Sequence, residues 1–183
     1  MSVTLNQDLR ERLSAIFRNL SHVFVFEQIP PRKLRNATRS YAPAMGPDET
    51  VIALYDDTVF GSSKEGFLLT TGRLYGKNIA ERGSFVELRD ITHFTLETGG
   101  IAPEALAHTG SGVVLRKHLI TSNSSGQSAA LFEALQQAVT LLQNPNGVSA
   151  ANENAQQQSA GRCGACGAVG QGAVCEYCGS PVR

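Results

Sequence analysis

The rest of the chain is arranged around residues Val51 to Asn78, which read VIALYDDTVFGSSKEGFLLTTGRLYGKN. Side chains alternate between Val51 and Asp56, and a similar apolar run starts at Gly66, which is typical of half-buried β-strands. The polar residues between the two runs favour a turn, and a second turn is expected at Gly72. The stretch therefore predicts three consecutive antiparallel strands.

Further strands are predicted on both sides of this stretch. The β-rich runs are Ser84 to Leu88, Ile91 to Glu97 and Val113 to Thr121, with Val23 to Phe26 as a seventh strand. The segment Gly99 to Gly112 predicts a mobile loop, or a short helical turn around Pro103 to Ala107. The pattern as a whole favours an antiparallel β-structure.

The N-terminal residues predict an amphipathic helix. One apolar stripe contains Leu5, Leu9, Leu13, Ile16, Phe17 and Leu20. Thr4 has the capping-box spacing to Gln7 and is the expected N-cap. A helix lying on a membrane surface is the alternative to packing on the domain. We favour packing, because Arg10 and Arg12 alternate with acidic residues instead of forming a basic face.

A second helix is expected from Pro30-Pro31 to about Tyr41, because proline suits the first helical position. Its apolar side holds Leu34, Ala37 and Tyr41. Its other side holds the basic residues Arg32, Lys33, Arg35 and Arg39. These cations form a candidate patch for a phosphate or an acidic protein. A solvated face is the alternative, and we favour it because no aromatic residue is interleaved to stack on bases.

A last helix is predicted from Ser125 to Gln143, with a buried face of Leu131, Ala134, Leu135, Ala138, Val139 and Leu142. The sequence after it turns polar and loses periodicity, which is typical of a flexible linker. The predicted organisation is an N-terminal helix and short strand (residues 1–28), a main domain (29–143), a linker (144–160) and a small tail (161–183).

The tail contains all four cysteines, as Cys163-Gly-Ala-Cys166 and Cys175-Glu-Tyr-Cys178. Each C-x-x-C pair can direct two thiolates at one ion, and four thiolates fill the tetrahedral shell of a structural zinc. Two disulfides, a thiol redox pair and an iron–sulfur cluster are the alternatives. The spacing favours one structural Zn²⁺, without which so short a segment should be unfolded.

Two resemblances support this organisation. The tail CGACGAVGQGAVCEYCGSPV resembles the short zinc ribbons attached to many bacterial proteins, although eight residues between its knuckles is short for that family. The segments IPPRKLRNATRSYA and ALYDDTVFGSSKEGFLLTTGRLYGKN resemble bacterial pleckstrin-homology-like (PH-like) domains of poorly characterised proteins that also carry zinc ribbons. The resemblance implies an α+β fold: a bent antiparallel β-sandwich or barrel capped by a C-terminal helix, with N-terminal helices and a small zinc ribbon.

Composition sets few limits on function. Sixteen basic residues balance sixteen acidic ones, so no global polyanion-binding signal exists. The N-terminus lacks the pattern of a signal peptide, and no run reaches the roughly 18 apolar residues of a transmembrane helix. We therefore expect a cytoplasmic protein without a transmembrane segment.

A catalytic site has weak support. Asp56 and Asp57 are adjacent, and His93 and His118 lie on different predicted strands. Neighbours on a strand point to opposite faces, so the two carboxylates should diverge, and we expect Asp57 to bond a turn. The turn sequence GSSKEG also lacks the spacing of a phosphate loop.

Two classes of function remain. The first is a non-enzymatic binding module that recognises a protein or a membrane-associated partner and uses the ribbon as a second contact. The alternative is a nucleic-acid-associated regulator that uses the basic helix and the ribbon. The alternative is weakened because residues 161–183 contain only Arg162 and Arg183 as basic residues, against Glu176.

Overall fold

The structure, a computed structural model, describes residues 5–98, 102–119 and 125–145, and the backbone of residues 161–162 and 169–170. The chain forms two compact units, Met1–Gln143 and Asn144–Arg183. We call the first unit the body and the second unit the tail. Most of the predicted linker and the four cysteines lie outside the described residues.

Five strands of the body form an antiparallel sheet in which each strand pairs with the next one along the chain. They are β1 (Val23–Val25), β2 (Val51–Asp56), β3 (Gly66–Thr70), β4 (Arg73–Lys77) and β5 (Ser84–Glu87). The three strands predicted between Val51 and Asn78 are thus confirmed. The short run after His22 also forms a strand, which covers one edge of β2.

A second, three-stranded antiparallel sheet contains β6 (Ile91–Glu97), β7 (Glu104–Thr109) and β8 (Gly112–His118). The prediction of a loop or helical turn between Gly99 and Gly112 is wrong for Glu104–Thr109, which pair with strands on both sides. The residues EALAH favour helix locally, but cross-strand pairing overrides weak local preferences. Among the described residues no ladder joins the two sheets, so they do not close into a barrel.

Three α-helices accompany the sheets: α1 (Gln7–Phe17), α2 (Pro31–Tyr41) and α3 (Ser125–Gln143). The predicted bounds of α3 are confirmed. Helix α1 buries Leu9, Leu13 and Phe17, one turn apart, and contacts α3. Its N-cap is Asn6 and not the expected Thr4, because the Asn6 side chain accepts a hydrogen bond from the Leu9 amide at 2.8 Å.

The central strands are buried on both faces, whereas their alternating sequence predicted half-buried strands. Every residue of β3 is buried, and so is every residue of β2 after Val51. One face of this sheet packs on α2, where Leu54 and Leu68 share a core with Ala37. Residues of the opposite face line a small apolar space with residues of the second sheet and α3, among them Phe67, Leu74, Phe94, Leu115 and Leu135. Helix, sheet and second sheet therefore form successive layers of the body.

Candidate functional site

The loop between β2 and β3 carries two large apolar side chains in water. Val59 is 75% exposed and Phe60 is 97% exposed. The Gly61 amide donates a hydrogen bond to the Thr58 carbonyl at 3.1 Å and closes the turn that holds them. A phenyl ring that contacts so little adds nothing to the packing of the fold. We call Val59 and Phe60 the loop tip.

Asp56 fixes the base of this loop. Its Oδ1 atom accepts hydrogen bonds from the amides of Thr58 and Ser63, each at 3.1 Å. Its Oδ2 atom forms an ion pair with Lys33 of α2. Burial raises the pKa of the Asp56 carboxyl, but hydrogen bonds from Lys33, Thr58 and Ser63 outweigh burial and hold the pKa below its ordinary value. The charged carboxylate therefore stabilises one conformation of the loop.

Helix α2 binds the part of the same loop that leads into β3. Lys33 Nζ donates to the Gly61 carbonyl at 2.7 Å, and Asn36 Nδ2 donates to the Ser62 carbonyl at 2.8 Å. Further along the helix, Ser40 Oγ donates to the Lys64 carbonyl at 2.7 Å. The loop is thus attached to one side of α2 over its length, and the loop tip is held beside the helix.

The basic patch predicted on α2 divides into two parts. Arg32, Arg35 and Arg39 are exposed, and in the described residues no ion pair or hydrogen bond engages their guanidinium groups. Lys33 instead pairs with Asp56, beneath the loop. At about 100° per residue, the three arginines point away from the core and lie next to the side that binds the loop. We call these three residues the arginine face.

The loop between β4 and β5 reaches the same end of the sheet. Asp56, Gly66 and Lys77 are neighbours in the sheet register, so residues after Lys77 emerge beside the β2–β3 loop. Ile79 in this second loop is 56% exposed. Gly83 passes so close to α2 that an added Cβ would lie 2.5 Å from the Tyr41 Cα atom. The loop tip, Ile79 and the arginine face therefore share one end of the body, the loop end.

Asp57 has a structural environment. Its carboxylate forms an ion pair with the buried Lys117 of β8, and it accepts a hydrogen bond from the Tyr55 hydroxyl at 2.8 Å. Burial lowers the pKa of Lys117, and the charge of Asp57 opposes this shift. The Asp57 amide donates a hydrogen bond to the Glu65 carbonyl at 3.2 Å, and the side chain of Asp56 bonds the turn amides of Thr58 and Ser63. The two carboxylates diverge as predicted and bind different lysines.

The two histidines considered for catalysis, His93 and His118, contact other side chains. His93 stacks on His108 with ring centroids 4.2 Å apart. His118 Nε2 lies 2.6 Å from a Glu104 carboxylate oxygen. Within the described part of the chain no group of three or more metal-binding side chains converges.

An open groove of about 480 Å³ lies between β5 and the turn that joins β7 to β8. Exposed apolar residues border it or lie near it, namely Phe85, Val113 and Val114. Its charged lining residues are acidic, Glu87 and Asp90. The register places this turn at the end of the second sheet opposite Glu104 and His118. The exposed large apolar residues among those described thus form two groups, and the arginine face accompanies only the one at the loop end.

The four predicted zinc ligands, Cys163, Cys166, Cys175 and Cys178, lie outside the described residues. The backbone described nearby forms two short strands, β9 (Gly161–Arg162) and β10 (Val169–Gly170). They pair antiparallel, with Arg162 opposite Val169. In sequence, these strands directly bracket the segment that contains the first cysteine pair.

Comparisons of the chain with protein-family models, with curated proteins and with solved structures gave no match. The helices described here include none with the length and apolar character required to cross a bilayer.

Sequence reasoning missed the loop tip. The available signal was a Val-Phe pair inside a segment otherwise rich in turn-forming residues, with Asp56 and Asp57 on one side and Gly61 on the other. Apolar residues placed between turn residues have no strand or helix in which to be buried. That pattern would have identified both residues.

Proposed function

We propose that the chain is a non-enzymatic binding module whose body recognises a protein or membrane-associated partner through the loop end. The observation that carries this proposal is the loop tip, where Phe60 is 97% exposed on a loop held by buried Asp56 and by α2. An exposed aromatic residue on an ordered loop costs little conformational entropy when it binds. The arginine face beside it adds charge that would select an anionic partner.

We further propose that the body is a PH-like domain. Support comes from its order of elements: β2 to β5 form consecutive antiparallel strands, β6 to β8 form a second antiparallel sheet, and α3 follows. The strand β1 and the helices α1 and α2 precede this arrangement as additions.

The tail is proposed to be a zinc ribbon that supplies a second contact. Cys163, Cys166, Cys175 and Cys178 would hold one Zn²⁺, which would organise the tail and leave no position open for water. The β9–β10 pairing supports this assignment, because the two strands lie directly before and after the segment with the first C-x-x-C pair in the sequence. Linking two weak contacts in one chain raises the effective concentration of the second.

The test is recovery of the native partner. The full chain is purified from its native host after mild cross-linking, as wild type, as Val59→Ser/Phe60→Ser and as Val113→Ser. Val113 is a matched control, because it is 44% exposed and lies at the other end of the body. We expect the partner with the wild type and the control but not with the loop-tip variant. Equal recovery with all three chains would contradict the proposal.

The nucleic-acid alternative predicts a different pattern. If the arginine face binds phosphates of nucleic acid, an Arg32→Gln/Arg35→Gln/Arg39→Gln variant should lose retention on a random oligonucleotide. The retention of the wild type should fall as the salt concentration rises. The loop-tip variant should then bind as the wild type does. Lys33 is left intact in this experiment, because its replacement would leave buried Asp56 without its cation.

A further inference from the structure

The groove between β5 and the β7–β8 turn lies where two sheet edges separate. β5 ends the first sheet and β8 ends the second, and in the described residues no strand pairs with the outer edge of either. The last residues of β8 are attached to the first sheet, because Asn78 Nδ2 donates to the Arg116 carbonyl at 3.0 Å and the His118 amide donates to Asn78 Oδ1 at 2.9 Å. The first residues of β8 border the open groove of about 480 Å³. We call this space the edge groove.

The wall of the edge groove on the side of β8 contains a β-bulge. Ala107 pairs with Leu115 and His108 pairs with Val113, so Val114 is an extra residue in the register with β7. A bulge bends its strand and redirects the side chain of the extra residue. Val114 lines the edge groove and is 40% exposed. The bulge thus supplies an apolar contact on this wall.

The wall on the side of β5 holds an aromatic ring in place. Phe85 is 45% exposed, and its ring centroid lies 5.5 Å from that of Tyr75. The Arg73 guanidinium lies over the same ring, 4.9 Å from its centroid. These two contacts position the ring while nearly half of the residue stays exposed. A ring that is already positioned loses little conformational entropy when it binds a partner.

The charged side chains that line the edge groove are two carboxylates, Glu87 and Asp90. Arg73 neutralises Glu87 only in part, because its guanidinium also pairs with Glu49 at 3.1 Å. Asp90 lies 3.8 Å from Arg89, and both side chains are more than half exposed, so water screens this pair. Three carboxylates therefore face two guanidinium groups, and the edge groove favours a cationic partner.

From these observations we propose that the edge groove binds an extended segment of a partner protein, which adds to β5 as a further strand. Backbone groups along the outer edge of β5 bond the segment, and its apolar side chains pack on Phe85 and Val114. A lysine or arginine of the segment lies beside Glu87 and Asp90. This surface is separate from the loop end, so the inference goes beyond the proposed function and does not rest on it.

Other occupants fit the edge groove less well. A small molecule needs a site that encloses most of its surface, whereas this groove is open to solvent. A second copy of the chain, bound through the same groove on a two-fold axis, would bring Glu87 and Asp90 of both copies together. Like charges at such an interface oppose association. An extended cationic segment meets neither difficulty.

The test begins with the selection of a peptide. Random peptides of about ten residues, enough to pair with all four residues of β5, are displayed on phage and panned against the full chain. We expect the enriched peptides to alternate β-branched or aromatic residues with polar ones and to contain lysine or arginine. Panning against a Phe85→Ser/Val114→Ser chain should not enrich them. Absence of any enriched sequence, or enrichment of peptides without basic residues, would overturn the inference.

The affinity of the most enriched peptide, labelled with fluorescein, is then measured by fluorescence anisotropy. Phe85→Ser should weaken binding at least about tenfold, and Val114→Ser about threefold to tenfold. Asp90→Asn should weaken it about twofold to fivefold, with a smaller effect at high salt. Glu87 is left intact, because it pairs with Arg73. Glu133→Gln, on the exposed side of α3, is the charge control and should bind as the wild type does.

Hydrogen exchange tests the strand pairing itself. The bound peptide should slow the exchange of those β5 amides that point away from β4, and it should leave the amides of β1 unchanged. Peptide binding without slower exchange in β5 would overturn the addition of a strand. Unchanged melting temperatures establish that the variants are folded, and Val114→Ser tests the groove independently of the contacts that Phe85 makes within the body.

The outcomes distinguish this inference from the proposed function. The Val59→Ser/Phe60→Ser variant should bind the peptide as the wild type does, and a peptide that needs the loop tip would overturn the assignment to the edge groove. Self-association of the chain that Val114→Ser abolishes in sedimentation would assign the groove to a second copy and overturn the inference. If peptide binding fails while the loop-tip variant still loses its native partner, the proposed function stands without this second surface.

Discussion

The conformation of the loop end depends on a few single residues. Asp56 and Lys33 are the central pair, because the carboxylate bonds two loop amides on one side and α2 on the other. The helical period of about 3.6 residues per turn predicts that the arginines lie on one side of α2. It could not separate Lys33 from them, because that distinction depends on a partner that lies 23 residues away in the sequence.

The first prediction concerns Asp56→Asn and pH. The pKa of Asp56 in the folded body lies below its ordinary value of about 3.9. Such a carboxyl stabilises the fold above its unfolded pKa, and this stability is lost as pH falls through the folded pKa. We expect Asp56→Asn to lower the free energy of unfolding by about 2 kcal/mol at neutral pH, because hydrogen bonds to a charged group are lost and the Lys33 side chain is 21% exposed. The difference from wild type should shrink when pH falls below about 4.

The measurement is urea unfolding of both proteins between neutral pH and pH 3, followed by circular dichroism. Asp90→Asn is the control, because the Asp90 side chain is 56% exposed and 3.8 Å from Arg89. It should change stability by less than about 0.5 kcal/mol at any pH. A difference for Asp56→Asn that stays constant over the whole pH range would mean that its charge does not stabilise the loop.

The exposure of Phe60 could not be predicted from the local sequence. The sequence around an apolar residue between two strands is the same whether a neighbouring element covers that residue or leaves it exposed. Tertiary structure decides the exposure of Phe60, since α2 binds the loop from Gly61 to Lys64 and does not cover the tip. The periodic pattern of a single element contains no information about that arrangement.

Among the elements, α3 was predicted with the greatest accuracy, and β7 was missed. Both results have a physical cause. Helix α3 has a continuous apolar stripe and is ended by Asn144-Pro145, so local signals define both its face and its end. Strand β7 is buried by its neighbours and carries Ala105, Leu106 and Ala107 in succession, without alternation. Buried strands with this composition cannot be distinguished from helix by period alone.

The second prediction tests α3 as the element that covers the space between the sheets. Leu135 is 3% exposed and faces that space. Leu135→Asp places an unpaired charge there, and we expect it to unfold the body or lower its stability by several kcal/mol. Gln136→Asp, on the exposed side of the same helix, should change the melting temperature little. A Leu135→Asp protein that melts like the wild type would exclude α3 from the core.

The whole molecule consists of two compact units, and this division allows a third prediction. Chelation of zinc should remove the order of residues after about Gly161 and leave the thermal transition of the body nearly unchanged. Native mass spectrometry should give one zinc ion per chain, and Cys163→Ser/Cys175→Ser should abolish its binding. A protein purified with two disulfides in place of metal would contradict the zinc assignment. Loss of the body transition on chelation would contradict independent folding of the two units.

The short strand β1 is the edge strand of the first sheet and covers one side of β2. Its three residues pair with Ala53, Leu54 and Tyr55 of β2, and β2 is a β-prone segment of low charge. A chain that starts at Ile29 would lose β1 and leave the edge of β2 with unpaired amides, which is a template for aggregation. We expect such a chain to form fibrous assemblies that increase with concentration in light scattering, whereas a chain that starts at Leu20 and retains β1 should not. Residues 1–28 would therefore determine the solubility of the body as well as contribute to its fold.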